Sequence, residues 1–287
     1  MPITLTRCIT LLTAVRNEAG IIGRFLDEVH RVFQAAGWLG DLTVVLVDDA
    51  STDHTIAAIH ALTPPGLRVT CISVPSNRGN QSAMAYGLRQ LAGSALSGQW
   101  LLTCDADGED DIAQFPALIA MLERDPSKIV FVRRSSRISN RFLYWVYCRI
   151  YRYFTGQRVL PCNMMAIPGS LTSAIAKSPL LPLHFSAAIL RLGFKHQVVP
   201  IPRRQRYGGN SSQNIPLLIH HALLSLGVFY EQVAARFLGF SVLVTAIAGS
   251  LFGTAAFFGF GFAAIALFVL VCLLCSIFRL LIEVNWR

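Results

Sequence analysis

Two aspartates separated by one residue, in Asp105-Ala106-Asp107, follow the apolar run 100–104. In an extended chain, side chains at positions i and i+2 point to the same side, so the two carboxylates can share one divalent cation. Glu109 adds a further oxygen ligand for Mg²⁺ or Mn²⁺. Such an ion would neutralise a diphosphate and stabilise it as a leaving group. An Asp-x-Asp sequence alone is usually a solvated turn, so its importance depends on the motifs around it.

Acidic and amide side chains also follow the first two apolar runs of the chain. The second run leads directly into Asp48 and Asp49, while Asn17 and Glu18 follow the first. A carboxylate at such a position could accept a hydrogen bond from a base N–H or a ribose hydroxyl, and Asn17 and Glu18 could hold a nucleoside. Each position also has a structural explanation, since Asp48 could cap the next helix and Asn17 could form a turn.

The acidic residues fall at the ends of alternating predicted elements. Short apolar runs predict strands, and apolar residues at helical spacing predict helices between them. This alternation predicts an α/β domain with a mostly parallel sheet covered on both faces. Ligands of such sheets bind beyond the carboxyl ends of the strands, where these acidic residues lie. The predicted strands are 9–15, 42–47, 67–74, 100–104 and 129–132, and the predicted helices are 21–33, 55–62, 81–91 and 112–122.

Two more acidic residues, Asp110 and Asp111, precede the last of these predicted helices. Aspartate is a preferred helix N-cap, and its charge interacts favourably with the helix dipole. Both are therefore predicted to cap that helix rather than to bind a ligand.

Charge and composition narrow the class of partner. The 287-residue chain has a formal net charge of +9, a pI near 9.5 and a mean hydropathy of +0.51. Many basic residues lie between Lys128 and Arg206, interleaved with aromatic residues and followed by an apolar tail. A nucleic-acid-binding protein would not normally end in a membrane segment, so anionic lipid and phosphate-bearing substrates are favoured over nucleic acid. The start of the chain has no signal-peptide pattern, and the N-terminal domain is therefore expected in the cytoplasm.

Two segments have the character of membrane-interface helices. Residues 138–154 combine aromatic and aliphatic side chains with Arg141, Arg149 and Arg152, a composition that suits the lipid headgroup layer. An ordinary surface helix packed on its own domain is the alternative. Residues 215–237 form a second predicted interface helix.

The apolar tail, residues 237–282, contains one charged residue, Arg279. As a single helix its 46 residues would be roughly 69 Å long, whereas a bilayer core is about 30 Å thick. Two transmembrane helices are predicted instead, with a turn at Gly259 and Gly261. Such a hairpin leaves the basic residues at both ends on one side of the membrane, as the positive-inside tendency favours.

Taken together, these motifs resemble the family 2 glycosyltransferases of GT-A fold, and specifically their polyprenyl-phosphate branch. This branch includes dolichol-phosphate mannose synthases and bacterial undecaprenyl-phosphate glycosyltransferases. The resemblance extends through the basic stretch after Val132, the loop 203–212 and the terminal hairpin, and so covers nearly the whole chain. Its four motifs are Arg16-Asn17-Glu18, the segment 47–53, the segment 77–84 and Asp105-Ala106-Asp107.

The resemblance implies a role for each matching residue. Glu18 and Asp49 would hold the nucleoside of a nucleotide-sugar donor linked through UDP or GDP, beside Asn17, which is a candidate from its position alone. Asp105, Asp107 and Glu109 would bind the metal ion and the diphosphate. Arg133 and Arg206, together with Arg137 or Arg204, would bind the phosphate of a polyprenyl phosphate acceptor, because arginine binds phosphate in a bidentate manner. For Arg137 and Arg204, contact with lipid headgroups is an equal alternative.

The chain departs from the family pattern at several positions. Val15 and Arg16 stand where a proline and an aromatic residue are usual, and Glu109 replaces a metal-site glutamine. The usual Gly-Asp-Phe-Arg stretch corresponds to 161–165, with Asn163 in place of an acid, and a Ser-Lys pair is replaced by Ser211-Ser212. These differences affect the expected donor sugar and acceptor more than the reaction class.

The sequence thus predicts three regions in an enzyme with its catalytic domain at the cytoplasmic membrane face. They are a GT-A catalytic domain (1–135), an acceptor-side and interface region (136–236) and a transmembrane hairpin (237–287). An acceptor phosphate is already ionised at neutral pH, so no strong base is needed, and direct attack would invert the anomeric centre. Alternatives are a transferase to a sugar or lipid hydroxyl and a non-catalytic membrane scaffold. Self-association into a homo-oligomer is left open.

Overall fold

The computed structural model describes residues 8–92, 99–135, 141–159, 163–208 and 215–285. The chain divides into two compact units that are discontinuous in sequence. The first contains Met1–Arg137 and Leu160–Asn214, and the second contains Ile138–Val159 and Ile215–Arg287. This division differs from the three consecutive predicted regions, because the segment 160–214 belongs with the first unit and the helix before it belongs with the second.

The first unit is built around a seven-stranded mixed sheet. Its strand order is β3-β2-β1-β4-β6-β5-β7, with β6 antiparallel to both of its neighbours and every other pairing parallel. β1 and β2 lie at the centre of the parallel part and read as apolar, β-branched-rich segments that are buried along their length, as expected for strands covered on both faces. The strands are β1 (Ile9–Val15), β2 (Leu42–Asp48), β3 (Arg68–Ser73), β4 (Trp100–Thr103), β5 (Ile129–Ser135), β6 (Met165–Pro168) and β7 (His196–Pro202).

In the described part of this unit, six α-helices surround the sheet. α1 directs Phe25, Leu26, Val29 and Phe33 into the core at helical spacing. α3 lies against β1 and β2 at Gly87, where an added Cβ would be 2.4 Å from Val47 Cγ2. The helices are α1 (Ile22–Ala35), α2 (Thr55–Leu62), α3 (Asn80–Ala92), α4 (Phe115–Arg124), α6 (Gly169–Ala176) and α7 (Phe185–Arg191), and α5 belongs to the other unit.

The predicted elements of the first 132 residues are all present, with differences at their ends. The predicted helix 112–122 begins as a 3-10 turn, Ile112–Gln114, and becomes α-helical at Phe115, because Pro116 is tolerated only in the first turn of a helix. β5 continues three residues beyond its predicted end at Val132, through hydrogen bonding with β7. This extension places two consecutive arginines on a strand.

The second unit consists of α5 (Arg141–Thr155), α8 (Ile215–Gly227), α9 (Tyr230–Phe252) and α10 (Thr254–Asn285). The predicted interface helix 215–237 is therefore wrong as one helix, because the chain leaves helical geometry between Gly227 and Tyr230. Tyrosines of α5 contact α8 and the break itself. The Tyr147 hydroxyl lies 3.1 Å from that of Ser225, and the rings of Tyr151 and Phe229 are 6.2 Å apart.

The apolar tail forms two helices, but the predicted turn at Gly259 and Gly261 is wrong. The break lies at Gly253, whose φ of 83° and ψ of −176° are readily accessible only to glycine, and α10 passes through both predicted turn residues. Gly261 then lies beside Thr245, each eight residues from the break, so the two helices pack side by side in opposite directions.

Of the described helices, α9 alone is both long and apolar enough to cross a membrane. Its most apolar window is only 17% buried, whereas the core helix of a soluble protein would be mostly buried. Leu251 and Phe252 are 69% and 74% exposed. A contiguous apolar surface of this kind indicates contact with lipid or with another protein.

Candidate active site

The carboxyl ends of β1 and β2 are joined by side-chain-to-backbone hydrogen bonds. The Asn17 amide N–H donates to Ser51 Oγ at 3.0 Å, and Asn17 Oδ1 accepts from the Thr52 amide N–H at 2.8 Å. Asn17 and Ala50 both have positive φ, of 54° and 53°. Asparagine tolerates this region well. In this structure the Asn17 side chain holds the two loops together, and its predicted contact with a nucleoside stays a prediction.

Asp49 is almost fully buried, at 2% exposure, immediately beyond β2. Its Oδ1 accepts from the Arg78 amide N–H at 2.7 Å, and its Oδ2 accepts from the Gly79 amide N–H at 2.8 Å. The motif 77–84 is thus attached to the motif 47–53 through this carboxylate. A carboxylate has about four acceptor positions, so Asp49 retains capacity for a nucleoside donor.

Glu18 connects this end of the sheet electrostatically to the Asp-x-Asp motif. Its amide N–H donates to Thr55 Oγ1 at 2.8 Å, while its side-chain Oε2 is buried without a hydrogen-bond partner among the described residues. Burial raises the pKa of Glu18 to about 8, and repulsion from Asp107 and Asp105 adds to this shift. Glu18 therefore lies within electrostatic range of Asp105 and Asp107, two of the predicted metal residues.

Asp105, Asp107, Glu109 and Asp110 form an acidic cluster, and Arg134 contacts three of them. Its guanidinium contacts Asp110 at 2.8 Å, Asp105 at 2.9 Å and Glu109 at 3.2 Å, and its side chain is 12% exposed. Because adjacent strand residues point to opposite faces, Arg133 points away and is exposed. Among the described residues Arg133 forms no ion pair, and its predicted contact with the acceptor phosphate is untested. Arg137 lies outside the described residues.

Asp110 does not cap the following helix, so that prediction is wrong. Its Oδ2 accepts from the Asp105 amide N–H at 2.9 Å, and its Oδ1 accepts from Arg134. Burial raises the pKa of Asp110 to about 6 although Arg134 opposes the shift. Asp111 occupies the N-cap position of the 3-10 turn, but its side chain makes no capping hydrogen bond to the backbone and accepts instead from the Gln114 side chain at 3.0 Å. Asp110 therefore fixes the backbone and the charge balance of the Asp-x-Asp motif.

Two arginines from the segment after β7 complete the cluster. Arg206 contacts Asp107 and Glu109, each at 2.9 Å, and Arg203 donates to Glu109. Burial raises the pKa of Asp107, and Asp105 repels it further. Burial also tends to raise the pKa of Glu109, but hydrogen bonds from Arg203 and Arg206 outweigh it and leave that pKa lowered. The structure thus brings Arg206 to the predicted metal residues.

The segment 203–208 is held against the motif by backbone and side-chain bonds. The Arg204 and Tyr207 amides donate to the carbonyls of Glu109 and Asp107, each at 3.0 Å. The side chains of Arg204 and Tyr207 both donate to Glu28 on α1. Arg204 is thus engaged in a contact that is independent of phosphate. Gly108, with φ of 88°, leaves room for the Tyr207 ring.

Asn163 lies in the segment that replaces the Gly-Asp-Phe-Arg stretch. It contacts Asp105 Oδ1, whereas Arg134 contacts Asp105 Oδ2. Its Nδ2 donates to Asp105 Oδ1 at 3.1 Å, and its Oδ1 accepts from Gln81 Nε2 at 3.4 Å. Gln81 Oε1 in turn accepts from the Phe185 amide N–H at 2.6 Å, at the start of α7. This chain of hydrogen bonds fixes the orientation of Asp105 from α3 and α7.

The carboxylates Asp105, Asp107 and Glu109 fit a divalent cation by their chemistry, since hard ions prefer such oxygen ligands. Asp107 and Glu18 also carry raised pKa values that a cation between them would lower. As the side chains stand, no three acidic, histidine or cysteine groups of the described residues converge on one point. They face arginines instead, so cation binding would require these pairs to rearrange.

Arg134, Arg203 and Asp110 were not identified from the sequence. Strand alternation supplies a partial signal, since only one residue of the Arg133-Arg134 pair can face the cluster. Which of the two does so depends on the pairing of β5 with β6 and β7. For Asp110 the sequence offered the more ordinary explanation of a helix cap.

Comparison with known proteins identifies the family of this domain. The family model described as Glycosyl transferase family 2 matches residues 10–177, from the second residue of β1 to beyond β6. The chain is 24% identical over 266 residues to the undecaprenyl-phosphate 4-deoxy-4-formamido-L-arabinose transferase of Edwardsiella ictaluri, covering 82% of this chain and 75% of that protein.

Shorter alignments reach two other relatives. Identity is 26% to the dodecaprenyl-phosphate galacturonate synthase of Rhizobium johnstonii, over 47% of this chain and 38% of that protein. It is 28% to the dolichol-phosphate mannosyltransferase of Mycosarcoma maydis, over 37% and 34%. The chain thus spans less than half the length of these two relatives.

Solved structures show the same fold. A glucosyl-3-phosphoglycerate synthase from Mycobacterium tuberculosis, in complex with Mn²⁺, UDP-Glc and phosphoglyceric acid, superposes with a TM-score of 0.56 at 18% identity, covering 79% of this chain and 80% of that one. A mannosyltransferase from Pyrobaculum calidifontis, in complex with GDP-Man and Mn²⁺, gives 0.50 at 19% identity, covering 98% and 87%. At these identities the likeness concerns the fold alone, which is GT-A.

Proposed function

This chain belongs to glycosyl transferase family 2 and is a glycosyltransferase, and we propose that it transfers a sugar from a nucleotide-sugar to a polyprenyl phosphate. The observation that carries the proposal is the meeting of Asp105, Asp107 and Glu109 with Arg134, Arg203 and Arg206 in one site. Carboxylates suit the metal-diphosphate of a donor, and guanidinium groups suit an acceptor phosphate. The names of the three relatives, each a transferase or synthase acting with a polyprenyl phosphate, support the same acceptor class.

We propose that Asp105, Asp107 and Glu109 hold Mg²⁺ or Mn²⁺, which would neutralise the charge that develops on the leaving nucleoside diphosphate. The Mn²⁺ in the neighbouring structures supports a divalent ion. Glu18 and Asp49, with Asn17, lie on the side of the site formed by β1 and β2 and would bind the nucleoside.

The arginines of the cluster would bind and orient the acceptor phosphate. Arg206 has the clearest opportunity, because its two present partners, Asp107 and Glu109, are the groups that a metal ion would engage. Arg133 is exposed on the same strand as Arg134 and is retained as a second proposed phosphate contact. A phosphate held opposite the leaving group would attack directly and invert the anomeric centre. Positioning and charge neutralisation would then supply most of the acceleration.

We further propose that α9 and α10 cross the membrane as a hairpin and leave the catalytic unit on the cytoplasmic side. The exposed apolar surface of α9 and its packing against α10 support this arrangement. Cysteine accessibility labelling at Gly253, between the helices, and at Asp125, in the catalytic unit, would test it. Labelling of both positions from the same side would contradict the hairpin.

A transfer assay tests the main proposal. The full chain in detergent is incubated with a panel of UDP- and GDP-sugars, Mg²⁺ or Mn²⁺, and a short polyprenyl phosphate, and the product is identified by mass. Asp107→Asn should reduce turnover by about a hundredfold or more. Asp125→Asn is the matched control, since Asp125 is exposed at the end of α4 and should leave turnover unchanged.

Near-normal turnover of the Asp107 variant would refute the metal role of this residue. Transfer to a sugar or lipid hydroxyl, with none to the lipid phosphate, would instead identify the alternative acceptor class.

A further inference from the structure

An open groove of about 820 Å³ lies between α5 and α9 in the second unit. Its volume is within the range of about 300–1,000 Å³ that is usual for ligand sites. Both helices belong to the same compact unit. The residues that line it are Arg149, Arg152, Tyr153, Ala235, Arg236, Gly239 and Phe240.

The groove is strongly basic. Arg149, Arg152 and Arg236 line it and are all exposed, and no acidic residue is among its lining residues. Among the described residues none of the three forms an ion pair. Three guanidinium groups without a counter-ion repel one another, so this arrangement is suited to an anion that arrives from outside.

Two of the arginines are already oriented by the protein. The Arg149 guanidinium lies over the Trp145 ring, 5.2 Å from its centroid. Arg236 Nη1 donates to the carbonyls of Arg152 and Tyr153 at the end of α5. The positive φ of Gly156, 76°, lets the chain turn beside that guanidinium. Pre-oriented guanidinium groups lose less entropy when they bind a phosphate.

The position of the groove along α9 indicates where its ligand comes from. Arg236 is the last charged residue before the apolar stretch that continues to Phe252. Tyr153 and Phe240, on the groove wall, are about half exposed. Aromatic side chains next to arginine at the end of an apolar helix are typical of the headgroup layer.

We propose that this groove binds the phosphate headgroup of an anionic membrane phospholipid. Basic pockets between helices at the cytoplasmic surface bind such headgroups in other membrane proteins. The proposal does not require transfer activity and rests only on the proposed membrane crossing of α9. Its ligand is a bulk lipid, distinguished from the acceptor by a phosphodiester that cannot be glycosylated in the proposed manner.

Lipid binding to the full chain in neutral detergent tests the site in the absence of donor, so that the result is independent of transfer activity. The probe is dioctanoyl phosphatidylglycerol, with dioctanoyl phosphatidylcholine as the zwitterionic comparison, and binding is measured by native mass spectrometry. Wild-type protein should prefer phosphatidylglycerol. The Arg149→Gln/Arg152→Gln variant should bind it about tenfold more weakly.

Two further variants separate the groove from general surface charge. Arg158→Gln removes an exposed arginine of the same unit that does not line the groove, and should change affinity by less than about twofold. Gly239→Leu places an apolar side chain in the groove without changing its charge. The substitution should be tolerated, because nothing lies within 4 Å of a Cβ added at Gly239. It should lose the preference for phosphatidylglycerol while retaining the melting temperature.

Three outcomes would overturn the proposal. The first is equal binding of the two phospholipids, and the second is an equal loss of affinity in Arg158→Gln. The third is displacement of phosphatidylglycerol by equimolar polyprenyl phosphate or inorganic phosphate, which would assign the groove to the acceptor or to free phosphate.

Discussion

Replacing Arg134 by methionine tests the charge balance of the acidic cluster. Arg134 contacts Asp105, Asp110 and Glu109, and the change removes the guanidinium while keeping much of the apolar volume. Glu109 would retain Arg203 and Arg206, and Asp105 would retain Asn163. Asp110, whose side chain is 1% exposed, would lose its counter-ion.

The expected loss follows from that buried carboxylate. Removing one partner of a buried ion pair typically costs about 3–5 kcal/mol, and the 12% exposure of Arg134 favours the lower end. A loss of about 3 kcal/mol corresponds to a melting temperature roughly 6–12 °C lower for a domain of this size. Thermal melting with a chelator present, at neutral pH, measures it.

The chain supplies its own control at the preceding residue. Arg133→Met removes the same charge from the same strand, but this side chain is exposed and should change the free energy of unfolding by less than about 0.5 kcal/mol. The double variant Arg134→Met/Asp110→Asn removes both charges and should recover at least half of the loss, because no unpaired charge is left buried.

Equal destabilisation by Arg133→Met and Arg134→Met would show that the register of β5 differs from the one described. A double variant no more stable than Arg134→Met would show that the unpaired Asp110 carboxylate is not the cause of the destabilisation. Either result would contradict the role of the buried Asp110–Arg134 ion pair in stabilising the fold.

Three further predictions concern the same site. Glu18→Gln should stabilise the metal-free protein at pH 8.5 by up to a few kcal/mol. Burial and nearby carboxylates raise the folded pKa of Glu18 to about 8. From about pH 4.5 upward the carboxyl therefore ionises in the unfolded state before it does so in the folded state, and the free energy of unfolding of the wild type falls as pH rises. A gain as large at pH 4.5 would contradict this cause. Gly108→Ala should destabilise the protein by about 1–3 kcal/mol in thermal melts, because its Cβ would be 2.7 Å from the Tyr207 ring at a residue of positive φ. Gly20→Ala is the control, since its Cβ meets nothing within 4 Å. Equal effects of the two changes would exclude the Tyr207 contact. Arg206→Gln should raise the KM for polyprenyl phosphate about tenfold and that for the donor less, and equal increases would place this residue outside the acceptor site.

Much of the first unit could be predicted because its signals are local. Apolar runs of strand length, interrupted by helical periodicity, predicted β1 to β5 and the helices between them within a few residues. β6 and β7 were not predicted. β6 is only four residues long, too short for a clear pattern, yet it lies between β4 and β5 in the sheet. Its pairing with β4 joins segments more than sixty residues apart, which no local pattern records.

The tail shows a similar limit. A Gly-Phe-Gly sequence at 259–261 predicted a turn, yet α10 continues through it, and the break falls at Gly253. Glycine permits a turn without requiring one, and a helix in an apolar environment keeps its backbone hydrogen bonds wherever it can.

The order of the motifs, the placement of acidic residues at the ends of strands and the apolar character of the tail could be inferred from the residues alone. These follow from hydrophobic periodicity and from the types of side chain that begin and end elements. The folded structure was needed to see that Arg134 rather than Arg133 faces the acidic cluster, and that Asp110 supports Asp105 instead of capping a helix. The apolar residues before Arg133 are buried on both faces of the sheet. These residues do not alternate between apolar and polar, so the sequence does not show which of the two arginines faces the acidic cluster. The hydrogen bonding of β5 to β6 and β7 determines it.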